Sequence, residues 1–549
     1  MAKPMRLTRE MIEDNIARRF WDRTNIADLL ERHAESHPDD EAVIDSARRY
    51  TWSQLNQVVN AVAAGLMALG LQRDDAVVAQ LPASTDALII LLACQKAGIL
   101  SCFSPMTFRH NELKHILKTL NAAAVITPMS YRNTAYHEMA KAIAGDLPAL
   151  RHFIVTGKET SVGAISFTDL IETPCIHKDS NAFFKPFAFS PFEVSIVVLS
   201  SGSTGMPKCI EQMGVSCKVG GWGLVELGKL TRKDVFGIIA PLSGGPGLQN
   251  WWGALQLGAK VCLLEHFSAD GALQLIQNER VTYLSAVPSQ IIKILKEANV
   301  GRYDLSSLRI VRTGASAFEA ALARETEEKL KCTVLIAGGS QETYSFAQTG
   351  VDDPSEKRTM TLGKPFPGNE VKICNNQGQL VSQGETGHLH VRGAATSSGY
   401  FGDRKATLAA WGELGPGGWF KTGDLAKIDE DGYVVLEGRQ KEIIIRGGQN
   451  IYPKEIEDLL LTHPKILQAA VIGMPDLVMG EKACACLTIV DGQDIVFEEM
   501  ITFLKDKGLA VHKLPEALHV LDRFPQLVEG QKVNKIVLKE MMIERMNKP

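Results

Sequence analysis

Apolar positions along the chain alternate between two rhythms. Short apolar runs at Ala76–Gln80, Ala123–Ile126, Phe153–Val155, Ser195–Leu199, Val235–Ala240, Lys260–Leu264 and Leu308–Arg312 read as strands. Longer periodic stretches between them, such as Gln54–Leu69 and Asp86–Ala97, read as helices. This alternation predicts an α/β fold with layered, largely parallel sheets. The stretch Glu370–Val391 differs. Its strand-like runs are split by Asn375-Asn376-Gln377-Gly378, which predicts an antiparallel β subdomain. The texture shifts again near residue 440, where Lys441–Arg446 leads into Gly447-Gly448. Pro453 then opens a helix with Ile456, Leu459 and Leu460 on one face. The expected architecture is a large N-terminal domain, residues 1–438, of layered α/β subdomains plus a β subdomain. A small α+β C-terminal domain, residues 439–549, follows it.

Length agrees with that division, because 549 residues exceed what a single core of about 250–300 residues holds. A 45% apolar and 22% charged composition is that of a soluble globular chain. The net charge of -4 supplies no basic field for nucleic acid. No apolar run approaches the ~20 residues of a membrane span, and the charged N-terminal stretch lacks the apolar core of a signal peptide. The ten cysteines are scattered without a CxxC pair, which argues against zinc and for reduced thiols in the cytoplasm. Cys484 and Cys486 share one face of whatever strand they occupy.

One segment changes the picture. The apolar run Val197-Val198-Leu199 enters Ser200-Ser201-Gly202-Ser203-Thr204-Gly205, and Met206-Pro207-Lys208 follows. Glycines let backbone N–H groups approach phosphate oxygens, hydroxyls add donors, and lysine supplies a compact positive charge. A flexible surface loop has the same composition, and the GK[ST] ending of a Walker A loop is missing. The segment resembles the phosphate loop of the adenylate-forming superfamily: acyl-CoA synthetases, aryl-acid AMP ligases, nonribosomal adenylation domains and firefly luciferase.

The resemblance extends over nearly the whole chain. Tyr50-Thr51-Trp52 with Leu55, and Gln95-Lys96-Ala97-Gly98 with Pro105, are similar to early family blocks. Gly338-Gly339-Ser340-Gln341-Glu342 stands where the family has Tyr-Gly-x-Thr-Glu. The resemblance implies Glu342 as a Mg2+ ligand, with Thr204 as a second, and Gln341 as a hydrogen-bonding group in catalysis. Gly338 and Gly339 are then part of the ATP site, but position 338 lacks the aromatic that would stack on adenine. Trp419–Leu425 is close to the family pattern, which makes Asp424 the ribose ligand. Gly438-Arg439-Gln440-Lys441-Glu442 resembles the interdomain hinge, so Arg439 contacts ribose or phosphate and Lys441 rotates. Gly447, Gly448 and Gln449 resemble the lining of a pantetheine tunnel. Near the C-terminus, Gly530-Gln531-Lys532-Val533-Asn534-Lys535 resembles the segment whose lysine enters the site during adenylation. Lys532 fits that role and Lys535 is the alternative.

The implied function is an ATP-dependent acid–thiol ligase that uses ATP, Mg2+ and coenzyme A and a mobile C-terminal domain. The acid pocket is expected around Ser243, Gly244, Gly245 and Gly314, where small residues replace the aromatic and histidine of many relatives. A bulky, mostly apolar alicyclic or aromatic carboxylate is the expected substrate, and a medium-chain fatty acid is the alternative. Trp251 and Trp252 either line this pocket or belong to the core. Two other readings stay open: an enzyme that loads a carrier protein, and a catalytically dead nucleotide-binding protein. Partners are small molecules, with neither nucleic acid nor membrane, and a homodimer is left open.

Overall fold

Two large sheets share one layer of helices in a computed structural model that describes residues 3–157, 161–172, 180–200, 206–297, 299–314, 318–446, 449–476, 479–526 and 533–546. The nine-stranded sheet has a parallel centre running through Glu41–Ile44, Lys260–Leu263, Val235–Ile238, Tyr283–Ser285, Ile310–Gly314 and Thr333–Ser340. Tyr344–Gln348 and Lys364–Pro365 extend it antiparallel. The eight-stranded sheet is built around Ala76–Ala79, Leu100–Phe103, Ala124–Pro128, His152–Thr156 and Val194–Leu199. Parallel strands need crossovers, and helices supply them on both faces.

The shared layer holds the helices Trp52–Ala68, Thr85–Ala97, Gly214–Gly228 and Gly245–Leu257, whose apolar side chains form one core with both sheets. Thr51 caps the first of these through a capping box with Gln54. Thr85–Ala97 is buried on every side, which is why its sequence is apolar throughout. Trp251 and Trp252 are 0% and 1% exposed and belong to this core. The last two helices cross closely because both carry glycine at the contact. A Cβ on Gly221 would lie 2.6 Å from the Gly253 nitrogen.

A four-stranded antiparallel sheet joins Asn369–Cys374, Gly387–Gly393, Phe420–Ile428 and Val434–Arg439. Its first hairpin differs from the sequence expectation. The Asn375–Gly378 turn closes only a single bridge, Cys374 to Leu380, and the ladder partner of Asn369–Cys374 is Gly387–Gly393. Residues after the turn lack alternating apolar positions to bury, and Leu380 is 72% exposed. A smaller C-terminal domain follows. Its long pair Ile466–Asp476 and Gly480–Ile489 is covered on one face by Pro453–Leu460 and Phe497–Asp506. On the other face Lys535–Met546 covers Cys484 and Cys486. No helix among the described residues is long and apolar enough to cross a membrane.

Candidate functional site

The site forms where loops leave the C-terminal ends of the parallel strands. Val194–Leu199 ends at Ser200, whose hydroxyl accepts from the Lys208 backbone nitrogen at 2.9 Å. Ser200 N donates to Lys208 O at 3.0 Å, so the mouth of the loop is closed by two bonds. Ser201, Gly202, Ser203, Thr204 and Gly205 lie outside the described residues.

Glu342 follows the strand Thr333–Ser340 and is 9% exposed. Its backbone is fastened twice: its nitrogen donates to Ser340 Oγ at 3.2 Å, and Ser397 N donates to its carbonyl at 2.7 Å. The Tyr400 hydroxyl donates to Glu342 Oε1 at 3.0 Å, and Lys208 Nζ sits 4.4 Å from the centre of the same Tyr400 ring. One tyrosine thus joins Lys208 to the candidate metal ligand. Burial, and then the Glu342 charge, push the Tyr400 phenol well above its ordinary pKa, so it stays a donor. Sequence reasoning missed Tyr400, because a lone tyrosine after Ser397-Ser398-Gly399 carries no spacing signal.

The N-terminal strap was missed as well. Arg6 is 3% exposed and stacks 4.9 Å from the Trp411 ring. Its guanidinium donates to the carbonyls of Ser397, Gly415 and Gly418. Met5 N and Ser398 Oγ both donate to Glu211, whose carboxyl burial pushes upward in pKa. The loop that holds Glu342 therefore rests on residues from the far end of the chain.

Gln341 lies against the candidate acid pocket. A Cβ on Gly245 would be 3.7 Å from Gln341 Oε1, and one on Gly244 would be 3.9 Å from Nε2. Gln212 Nε2 fixes the Gln341 backbone by donating to its carbonyl at 2.8 Å. Gln341 Oε1 is buried without a hydrogen-bond partner among the described residues, an acceptor aimed at the pocket wall. Ser243, Gly244 and Gly245 are half-buried at the start of the helix Gly245–Leu257. Gly314 ends its strand directly beside Ala337, where a Cβ would meet the Ala337 carbonyl at 2.6 Å.

The absent aromatic at position 338 has a steric cause. A Cβ there would lie 2.6 Å from Leu362 Cδ1 and 3.1 Å from Phe346 Cζ. Gly339 sits at a bulge where a Cβ would be 2.0 Å from the Tyr344 carbonyl. Leu362 and Phe346 fill the space that a side chain at 338 would use.

Asp424 and Arg439 face each other across two antiparallel strands, and Arg439 Nε reaches Asp424 Oδ1 at 2.9 Å. Gly438, at φ 147°, then turns the chain into the short 3-10 segment Gln440–Glu442, where Lys441 is exposed. Gly447, Gly448 and Lys532 lie outside the described residues, and Gln449 is described only as backbone, in the strand Gln449–Ile451. The chain on either side of 527–532 is pinned together, because Gln526 bridges Val533 and Asn534 N donates to Pro525 O at 2.7 Å.

Lys535 is engaged elsewhere. Its Nζ contacts Glu442 at 2.6 Å and Glu457 at 2.8 Å. Burial works against its charge, but Glu457 and Glu442 outweigh burial and raise its pKa. Breaking such a group leaves two acids uncompensated. Lys535→Met is therefore expected to cost about 3 kcal/mol of C-terminal domain stability, read by chemical denaturation.

The two domains also touch. Glu319, before the helix Ala320–Leu330, meets Asp458 and Lys454 on the helix Pro453–Leu460. Burial and the Asp458 charge push the Glu319 carboxyl up to about 8, against the pull of Lys454. An acid raised on docking binds a proton there. This contact is then intact below the ordinary value of 4.5 and weakens as pH rises through about 8. Domain docking, followed by donor–acceptor fluorescence, is expected to loosen over that window, and Glu319→Gln is expected to flatten the dependence.

Among the described residues no three His, Cys, Asp or Glu side chains cluster as a metal cage. Glu342 fits Mg2+ in another way: it is a hard, buried carboxylate bonded to Tyr400, over whose ring Lys208 lies. Mg2+ commonly takes one or two carboxylates and completes its shell with phosphate oxygens and water.

Comparison with known proteins bears on the chemistry. A family profile described as AMP-binding enzyme matches residues 30–401, and one described as AMP-binding enzyme C-terminal domain matches residues 455–531. The chain is 31% identical to a 2,3-dihydroxybenzoate-AMP ligase of Bacillus subtilis, covering 96% of this chain and 95% of the relative. It is 29% identical to a medium-chain fatty-acid–CoA ligase of Escherichia coli, covering 96% and 92%. An ATP-bound MatB from Rhodopseudomonas palustris superposes with a TM-score of 0.82 at 26% identity, covering 94% of this chain and 99% of MatB. The anthranilate CoA ligase AuaEII, complexed with anthranoyl-AMP, shares the fold with a TM-score of 0.83 at 23% identity, covering 94% and 97%.

Proposed function

Since this chain belongs to the AMP-binding, adenylate-forming enzyme family, we propose that it activates a ring-bearing carboxylic acid as its adenylate and passes the acyl group to coenzyme A. The observation that carries this is Tyr400, whose hydroxyl donates to Glu342 while Lys208 Nζ lies over its ring.

In the first step an acid oxygen attacks the α-phosphorus, the bond to the β-phosphate breaks, and pyrophosphate leaves. Two anions must meet, so catalysis is positioning and charge compensation, without a protein nucleophile. Ser200–Gly205 and Lys208 hold the leaving phosphates. Mg2+ held by Glu342, with Thr204 as the second ligand the family resemblance implies, would offset phosphate charge. Gln341 orients the acid, Gly338 and Gly339 form the floor by the base, Asp424 takes the ribose diol, and Arg439 orients Asp424. Lys532 places its ammonium at the developing charge.

In the second step the thiol attacks the acyl carbon and the bond to AMP breaks. Lys532 has to withdraw, so residues 439–549 rotate against residues 1–438 about Lys441. Gly447, Gly448 and Gln449 line the thiol's path. We place the protein in the cytoplasm. Among the described residues nine cysteines are free, eight of them buried, which is compatible with a reducing compartment.

Carboxylate-dependent exchange of labelled pyrophosphate into ATP, run over a panel of acids, tests the first step. Acyl transfer to free CoA tests the second. Transfer only to a carrier protein would favour the reading suggested by the AMP ligase relative and by Val533-x-Lys535.

A further inference from the structure

The strand Ile310–Gly314 carries a buried cation with no anion beside it among the described residues. Arg312 is 3% exposed. Its Nε donates to Gln348 Oε1 at 2.7 Å, and its Nη2 donates to Gln249 Oε1 at 3.0 Å and Ser345 Oγ at 2.5 Å. All three acceptors are neutral. Nη1 has no acceptor among the described residues. Beside it, Gln348 Nε2 is a buried donor with no partner among the described residues. Gln249 has no oxygen left to offer: its Oε1 also accepts from Ser345, and its Nε2 donates to Gly220 O at 2.8 Å. Burial holds the guanidinium below its usual pKa, with Tyr283 opposing. A buried charge without a counter-charge costs several kcal/mol, and each unpaired buried donor about 1–3 kcal/mol.

The position of this cluster gives the imbalance a use. Arg312 is two residues from Gly314, so both face the same side of the sheet, with Arg312 about 7 Å deeper. Gln249 is four residues along the helix from Gly245, on the same face. Gly245 lies against Gln341, and Gly314 pairs with Ala337 just before the Gly338–Glu342 segment. Val311, on the opposite face, packs in the apolar cluster with Leu284 and Ile336.

We propose that Arg312 is a specificity residue that binds an oxygen acceptor, carboxylate or hydroxyl, on the far end of the acid, with Gln348 Nε2 as the second donor. This deepens the reading of the pocket as a carboxylate-activating site and rests on it. The acid is a ring with oxygen at both ends, one end adenylated and the other held by Arg312. An unsubstituted ring or a saturated chain would leave Gln348 Nε2 buried and unpaired and the Arg312 charge without a counter-charge. Sites built to hydrogen-bond a substrate group reject analogues lacking it far more strongly than apolar pockets reject a methylene.

The test is pyrophosphate exchange by the full-length enzyme with matched acids: benzoate against 4-hydroxybenzoate and terephthalate, and cyclohexanecarboxylate against its 4-hydroxy and 4-carboxy forms. The expected result is a kcat/KM ratio of at least about tenfold in favour of at least one oxygen-bearing partner. Arg312→Met, similar in length and uncharged, is expected to collapse that ratio, and Arg312→Lys to restore part of it. A structural arginine would lower both members of a pair together and leave the ratio intact. Wild-type indifference to the distal oxygen, or an unchanged ratio in Arg312→Met, overturns the proposal. Should Arg312→Met fail to fold, Gln348→Leu reads the same ratio. Exchange with plain acids but no distal preference sinks this inference alone. Exchange with no acid at all sinks the activity and the inference together.

Discussion

Glu342→Gln is expected to lower pyrophosphate exchange by about 10²–10³-fold while leaving the fold intact, a loss of the size seen when one preorganised electrostatic group is removed. The amide keeps the shape of the side chain and can still accept from Tyr400, whose hydroxyl is 3.0 Å from Glu342 Oε1. Only the charge goes. The loss should therefore shrink as Mg2+ is raised, because the variant retains every other contact to the metal–nucleotide complex. Tyr400→Phe isolates the other half of the contact. It removes one hydrogen bond to a charged group, about 1.5–3 kcal/mol, and should cost roughly ten- to a hundredfold. Glu342→Gln exchange close to wild type, independent of Mg2+, would remove Glu342 from the metal site.

Lys532→Ala is expected to produce a split phenotype. Acyl-adenylate formation should fall about 10²–10³-fold, whereas thioester formation from supplied acyl-AMP and CoA should stay near wild type. The reason is that the ammonium compensates charge only while the carboxylate meets the α-phosphate, and it must be absent when the thiol arrives. Lys535 cannot substitute without abandoning Glu442 and Glu457, which hold it at 2.6 and 2.8 Å. Measuring the two half-reactions separately decides the matter. Equal loss in both would mean that the substitution acts through folding or domain docking, and no loss in adenylation would return the role to another group.

Glu319 adds a condition to such measurements. Its contact with Asp458 and Lys454 is expected to weaken as pH rises, so the half-reactions are best compared at one pH.

The α/β alternation, the antiparallel sheet and the small C-terminal domain were legible in the chain because each depends on local periodicity: 2 for strands and 3.6 for helices. The Ser200–Lys208 loop, the Trp419–Leu425 block and Gly438–Glu442 are contiguous segments, so their resemblance to family patterns can be read in the sequence. Tyr400, the Arg6 strap and the Arg312 cluster were not. Each depends on residues brought together from distant parts of the chain: Tyr400 with Lys208 and Glu342, Arg6 with Ser397, and Arg312 with Gln249 and Ser345. The expectation of a mostly apolar acid came from Gly244, Gly245 and Gly314, which report free volume but not what stands at its far end. Local pattern is written in backbone periodicity and carries which elements form. Which polar atoms are left without partners depends on how three layers pack, and that appears only once the chain is folded.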